Sequence, residues 1–290
     1  MKGYIMSTEL TVAADRGQSL AELMGISTSS GGSSISRLYV NQTAIEAEVE
    51  FNGKKLKDEV VAKGAYKLYH NDTNVFSNTV TMRIFAVRQQ WQRWNGETNE
   101  MEKSVLATNL NGDLKDSVGG FNLGRPSGYI EDFNALPQAT KELMRTVSRV
   151  KVFYGVVTLD NPVDEAGNAL SAADYTDIPF VFDVKNRDSL KAIDGVMSKI
   201  AKKNLLPIMH TVKLSPALGT IPTGATFGYV KADLGSKVDL TEDDNDALKS
   251  FLELIEYSNG KIIDKYEERC DRGLSDADKE IVASIVEVEE

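Results

Sequence analysis

The sequence predicts a mainly β protein with added helices, an α+β fold whose strands form a closed or nearly closed barrel. Short runs rich in β-branched and aromatic residues, such as SRLYVN (36–41) and KGAYKLYH (63–70), recur between turn signals. One run, 79–94, alternates without a break. Val80, Met82, Ile84 and Ala86 fall on one face; Arg83, Phe85, Val87, Gln89, Trp91 and Arg93 fall on the other. Helical periodicity is confined to a few stretches, and no internal repeat of about 20–50 residues is visible. Many strands with few helices is the pattern of a barrel carrying appended helices.

Residues 1–34 read as a flexible lead-in. SLAELMGI (19–26) forms at most one short helix, and STSSGGSS (27–34) is a linker by composition. The body runs from 35 to 235. At about 3.3 Å per residue the 79–94 run extends roughly 50 Å, so its hairpin curls around a barrel or projects as an arm. Asn95-Gly96 signals the turn, and 101–108 returns as the partner strand. Residues 111–129 form a Gly-rich loop, Pro137 opens a helix over 138–147, and 149–159 and 178–185 are strands. Asp188 or Ser189 caps a helix with Leu190, Ile193, Met197 and Ile200 on one stripe. Strands 207–214 and 225–234 complete the set. Thr241 starts a C-terminal helix within 236–274, with acidic residues in its first turn, and 275–290 is an acidic tail.

The net charge is −10, but it is unevenly placed. Residues 35–235 carry 24 basic and 23 acidic groups; residues 236–290 carry 7 and 17. An electrically balanced body leaves room for local basic patches that bind an anion. Cys270 is the only cysteine, so no disulfide framework is expected, and the compartment is a reducing one. With His70 and His210 far apart, no metal site is expected. No window is apolar enough to span a membrane, and the N-terminus lacks a signal core. No G-x-S-x-G, H-E-x-x-H or P-loop order is present, so neither an enzyme nor a cofactor is expected.

The segment RIFAVRQQWQRW (83–94) concentrates three arginines and both tryptophans of the protein. Rings that stack on bases, beside cations that follow phosphates, are the chemistry of single-stranded nucleic-acid binding. The alternative is that the aromatics are core and the arginines guard a strand edge. Candidate contacts in this segment are Arg83, Phe85, Arg88, Trp91, Arg93 and Trp94, with Lys103 on the return strand. Phe121, Arg125 and Tyr129 repeat the pairing in the Gly-rich loop. Arg149, Lys151 and Phe153 repeat it on one face of 149–159. In the tail, Glu280, Ile281, Ile285, Glu287, Glu289 and Glu290 alternate acid with apolar groups. Such a tail either docks on partner proteins or occupies its own protein's cationic groove.

This order resembles the single-stranded DNA-binding proteins of tailed phages: a β-rich basic and aromatic body, a helix near residue 245, and a tail ending VEVEE. The stretch from LATNLNGDLKDSVGGFNLGRPSGYIEDFNALP to RVKVFYGVVTL carries most of it. The resemblance implies the metal-free branch, with an OB-fold core, acting in phage replication or recombination in the cytoplasm of the bacterial host. It further implies single-stranded DNA and replication or recombination proteins as partners, with a homo-oligomer possible. The competing class is a phage structural protein of the capsid or tail, in which the lead-in and hairpin serve subunit contacts.

Overall fold

The computed structural model describes residues 35–51 and 54–273. The lead-in expected over 1–34 and the tail over 275–290 fall outside the described residues. Among the described residues strand makes up 42%, alongside three helices, which is the expected α+β class. The described residues form two compact units. The first contains the described residues up to Ala86 together with Phe153–Phe251; the second contains Val87–Val152 and the described residues from Leu252 onward.

The first unit is built on a mixed sheet. Its strands are β1 (Ser36–Val40), β4 (Tyr66–His70), β5 (Thr73–Ser77), the first half of β6 (Thr79–Asn95), the second half of β8 (Ser148–Asp160), β9 (Ile178–Val184), β10 (His210–Thr220) and β11 (Thr226–Lys237). Across the sheet they run β11-β10-β6-β8-β9-β1-β4-β5. β1 is antiparallel to β4 and parallel to β9. β2 (Ile45–Phe51) and β3 (Lys54–Val61) form a separate hairpin. That hairpin is seated by a cluster of Val61, Ala65 and Phe76 with Ile45 and Val60 packed against it. Val80, Met82, Ile84 and Ala86 are buried, as their alternation predicts.

Main-chain pairing does not close this sheet into a barrel. Edge strand β11 is instead held by side chains. The Gln42 amide donates to the Gly228 carbonyl at 3.1 Å and accepts the Gly228 N–H at 2.9 Å. A Cβ on Gly228 would lie 2.8 Å from the Gly64 Cα, so only glycine permits this approach. The Val230 N–H donates to Ser189 Oγ at 3.0 Å, so the edge offers fewer free groups to another chain.

That contact changes the expected helix register. In α2 (Arg187–Ala201) the cap is Asn186, whose side chain accepts the Ser189 N–H at 2.9 Å. Ser189 faces β11 instead, and the buried stripe is Ser189, Ile193, Val196 and Ile200. Leu190 and Met197 sit one position off that stripe and are half-buried. Pro207 opens a short 3-10 turn, so β10 starts at His210 rather than 207.

Arg83 and Phe85 lie on the second face of β6, and both are engaged in holding α3 (Glu242–Gly273). Phe85 packs on Phe251 with centroids 5.6 Å apart. Arg83 donates through Nη1 and Nη2 to the two carboxylate oxygens of Asp244, each at 2.7 Å, and through Nε to the Ile208 carbonyl at 2.7 Å. Asp244 also closes a capping box. It accepts the Thr241 N–H at 2.8 Å, and its own N–H donates to Thr241 Oγ1 at 3.3 Å. The guanidinium and the phenyl ring therefore face protein, and neither is placed to meet a ligand.

Burial works to raise the Asp244 carboxyl, but hydrogen bonds from Arg83 and Thr241 outweigh it and leave the group below its ordinary range. A depressed folded value means that the stabilisation is present above the unfolded carboxyl value, about 4, and is lost as pH falls through the folded one. Asp244→Asn should therefore flatten the acid limb of the stability–pH profile below about pH 4, measured by urea titration. Arg83→Met, which strands a nearly buried carboxylate, should cost roughly 3 kcal/mol at neutral pH. A profile for Asp244→Asn that tracks the parent would show the ion pair to be energetically idle.

Candidate nucleic-acid interface

The second unit starts where β6 continues past Val87. Its distal half pairs with β7 (Glu100–Lys103), matching Gln92 with Lys103, Arg93 with Glu102 and Trp94 with Met101. The expected return strand 101–108 is interrupted, because Ser104 Oγ accepts the Trp91 N–H at 2.9 Å. Pairing resumes as a single bridge between Gln89 and Ala107. The helix α1 (Gln138–Thr146) and the first residues of β8 follow in sequence.

α3 continues through this unit with one inward stripe: Ile255, Asn259, Ile262, Tyr266 and Cys270, spaced four, three, four and four apart. Asn259 accepts the Leu106 N–H at 2.6 Å and donates to the Leu106 carbonyl at 3.0 Å. Tyr266 packs on Phe121 with centroids 5.7 Å apart, and the Lys115 ammonium lies 4.8 Å from the Tyr266 ring centre.

The Gly-rich loop is a pinned structure. Asp116 is fully buried. Its Oδ1 accepts the N–H groups of Val118 at 3.0 Å and Gly120 at 2.9 Å, and its Oδ2 accepts that of Leu123 at 2.7 Å. Asn122, also buried, donates to the Gly112 carbonyl and accepts the Leu114 N–H, both at 3.1 Å. Asn122 and Leu123 have φ of 53° and 56°, a conformation disfavoured for leucine, which these contacts enforce. At Gly119, with φ of 83°, a Cβ would meet the Arg269 Cβ at 2.9 Å.

Leu123 thereby enters a cluster with Trp91 and Val147, lined by Leu110, Leu114, Val118 and Leu143. The next turn of chain lays Arg125 over the Trp91 ring, its Cζ 4.4 Å from the centroid. Burial pushes the Arg125 guanidinium below its ordinary range. The Trp91 Nε1–H is buried without an acceptor.

The residues singled out from the sequence divide into two groups. Phe153 is fully buried, and Tyr154 beside it is nearly so, which makes Phe153 core in place of a stacking platform. Both faces of β8 are covered there, which strand alternation alone does not reveal. Arg93 is spent on Glu102, with Nε and Nη2 each 2.6 Å from Oε2. Arg88 donates to the carbonyl of neighbouring Val87 at 2.9 Å. Lys103 and Lys151 are half-buried and already partnered.

Exposed groups remain. Tyr129 is 92% accessible, Trp94 55% and Phe121 45%; Arg149 is exposed at the start of β8. Trp94 lies on the opposite strand face from Trp91 and Arg93, so the structure does not gather all the candidates on one face. Sequence reading missed Asp116, Lys115, Asn259 and Tyr266. The signals available were an Asp three residues before Gly-Gly, and the four–three spacing along the last helix.

Among the described residues no cluster of three or more His, Cys, Asp or Glu could hold a metal. Ser36 Oγ lies 2.7 Å from His70 Nδ1, while the Asn71 amide nitrogen lies 3.0 Å from Nε2. With an N–H donor at Nε2, the ring proton belongs on Nδ1 and points at the serine, the reverse of what activates a nucleophile. Comparison with protein-family models, with curated proteins and with solved structures finds no match.

Asp116→Ala should free three buried N–H groups and release the loop, at a cost of about 2–3 kcal/mol. Hydrogen exchange should accelerate at Val118, Gly120 and Leu123 before it does elsewhere. Exchange that rises uniformly instead would mean that Asp116 supports the whole unit and not the loop in particular.

Proposed function

We propose that this chain binds single-stranded DNA with little regard to sequence, through the second unit, as a coating protein of a phage replication or recombination system. The observation that carries the reading is the pinned loop. A buried carboxylate fixes a strained turn that leads Arg125 onto the Trp91 ring, and the same loop carries the exposed rings of Phe121 and Tyr129, so aromatic groups and a cation are supplied by one preordered segment. Ring faces accept any base, and a cation follows the phosphates, which gives affinity without base readout. Preorganisation matters because ordering a free loop on binding would consume part of the affinity.

The finer fold belongs to the same proposal. We read the sheet of the first unit, with its edge strand clipped to Gln42, as an OB-fold-like barrel that is only partly closed. The chain acts in the bacterial cytoplasm, and its acidic tail recruits replication or recombination enzymes. Binding, not catalysis, is its role.

A fluorescent oligo-dT titrated with the full chain tests this. Binding should exceed that of duplex DNA and weaken steeply with salt. Tyr129→Ala should lose about 1–3 kcal/mol if a base stacks there, with folding unchanged because the ring makes little contact with protein. Arg149→Ala should reduce the slope of log K against log salt by about one. Self-assembly without oligonucleotide binding would point instead to a structural phage protein.

Removing 275–290 deletes Asp276, Asp278, Glu280, Glu287, Glu289 and Glu290 against one Lys279, leaving the chain five charges less negative. If the tail competes with DNA, the truncated protein should bind oligo-dT more tightly, most of all at low ionic strength. Equal isotherms at every salt concentration would remove the tail from the groove.

A further inference from the structure

We infer that the Trp91–Arg125 stack is a closed nucleobase slot, in which Arg125 occupies the indole face until a base of the bound strand displaces it. The inference rests on the single-stranded DNA reading above and names the place where a base enters.

Both members of the stack have given up water and gained little in return. Trp91 is 9% exposed, and its Nε1–H has no acceptor among the apolar side chains around it. Buried indole N–H groups ordinarily find a partner. Arg125 is half-buried, and among the described residues no carboxylate or carbonyl accepts from its guanidinium. Arginine normally enters such a site to form a forked contact with an anion, and here it only lies on a ring. Its counterparts on β6 are satisfied: Arg83 by Asp244 and Arg93 by Glu102. Arg125, half-buried on the ring, keeps its donors in reserve.

The surroundings permit an exchange. The turn up to Leu123 is fixed by Asp116, so the indole and its lining stay in place. Arg125 sits just past that anchor, between Gly124 and Gly128, whose φ values are 79° and 77°. The side chain can leave the ring without unfolding the loop. A planar base then replaces a planar guanidinium on the indole, one stack for another. The released cation gains a backbone phosphate, which supplies the forked anion contact that it lacks in the free protein. The ligand class is therefore a nucleobase joined to a phosphodiester, and not a free base.

The protein has only two tryptophans, which makes the slot directly visible. In Trp94→Phe the remaining emission is that of Trp91. Labelled oligo-dT is titrated into this variant, with binding followed by anisotropy of the label and the slot by Trp91 emission. Quenching that saturates together with the anisotropy is expected, with thymidine monophosphate at equal base concentration giving little. Adding Arg125→Ala should red-shift the emission of the free protein, because the ring loses its cover, and lower the salt slope by about one. Trp91→Phe keeps a ring in the core and should still fold and bind, with weaker affinity.

Saturable binding with unchanged Trp91 emission would overturn the slot while leaving the DNA-binding reading intact. An unchanged salt slope in Arg125→Ala would overturn the arginine's part in it. Absence of any oligo-dT binding would overturn the functional reading and the slot together.

Discussion

The second unit depends on one buried carboxylate. A charge taken fully out of water is costly unless its oxygens are filled, and Asp116 fills them with three backbone N–H groups, the farthest seven positions along the chain. Those bonds hold Leu123 in a left-handed conformation that its side chain disfavours and direct that side chain against Trp91. The position of Arg125 follows from that of Leu123. Without Asp116, the loop composition would permit many turns, and the aromatic and basic groups would have no fixed relation to one another.

The same logic, a buried ion tying distant segments, operates in the first unit. Arg83 and Asp244 are 161 residues apart in sequence, and their paired hydrogen bonds join a strand to the first turn of a helix. Asp244 already belonged to that turn as a capping group, so one carboxylate ends the helix and fastens it. The acidic first turn of α3 shows how net charge misleads when read as surface. Glu242, Asp243 and Asp244 all favour the helix N-terminus electrostatically, yet only Asp244 is buried and paired.

How far the sequence was legible depends on the distance over which each feature is decided. The apolar face of β6 was readable because alternation is local, and Val80, Met82, Ile84 and Ala86 are buried as it requires. The Thr241 helix start was readable because a cap is local too. The partner of Arg83, or whether Phe153 meets water or core, is decided by elements far along the chain. Strand β8 shows the limit: Phe153, Tyr154 and Gly155 are buried in succession, so the period of two carries no message there. The cap of α2 failed for a related reason. Ser189 is an excellent capping residue, but a strand edge claimed its hydroxyl and Asn186 took the helix.

The concentration of arginine and tryptophan in residues 83–94 is thereby resolved into unlike parts. Two of its arginines neutralise carboxylates and the third caps a neighbouring carbonyl, so positive charge on this strand is largely consumed in holding the fold. One tryptophan is core and the other is exposed on the opposite strand face. A strand that must pack on both sides cannot also serve as a continuous binding platform. Apart from the Trp91 face beneath Arg125, residues able to meet a ligand are therefore supplied mainly by the loop that covers the strand, and that loop must be as rigid as a strand to place them. Rigidity comes from a carboxylate that the solvent never sees, and a reading limited to exposed charge would have passed over it.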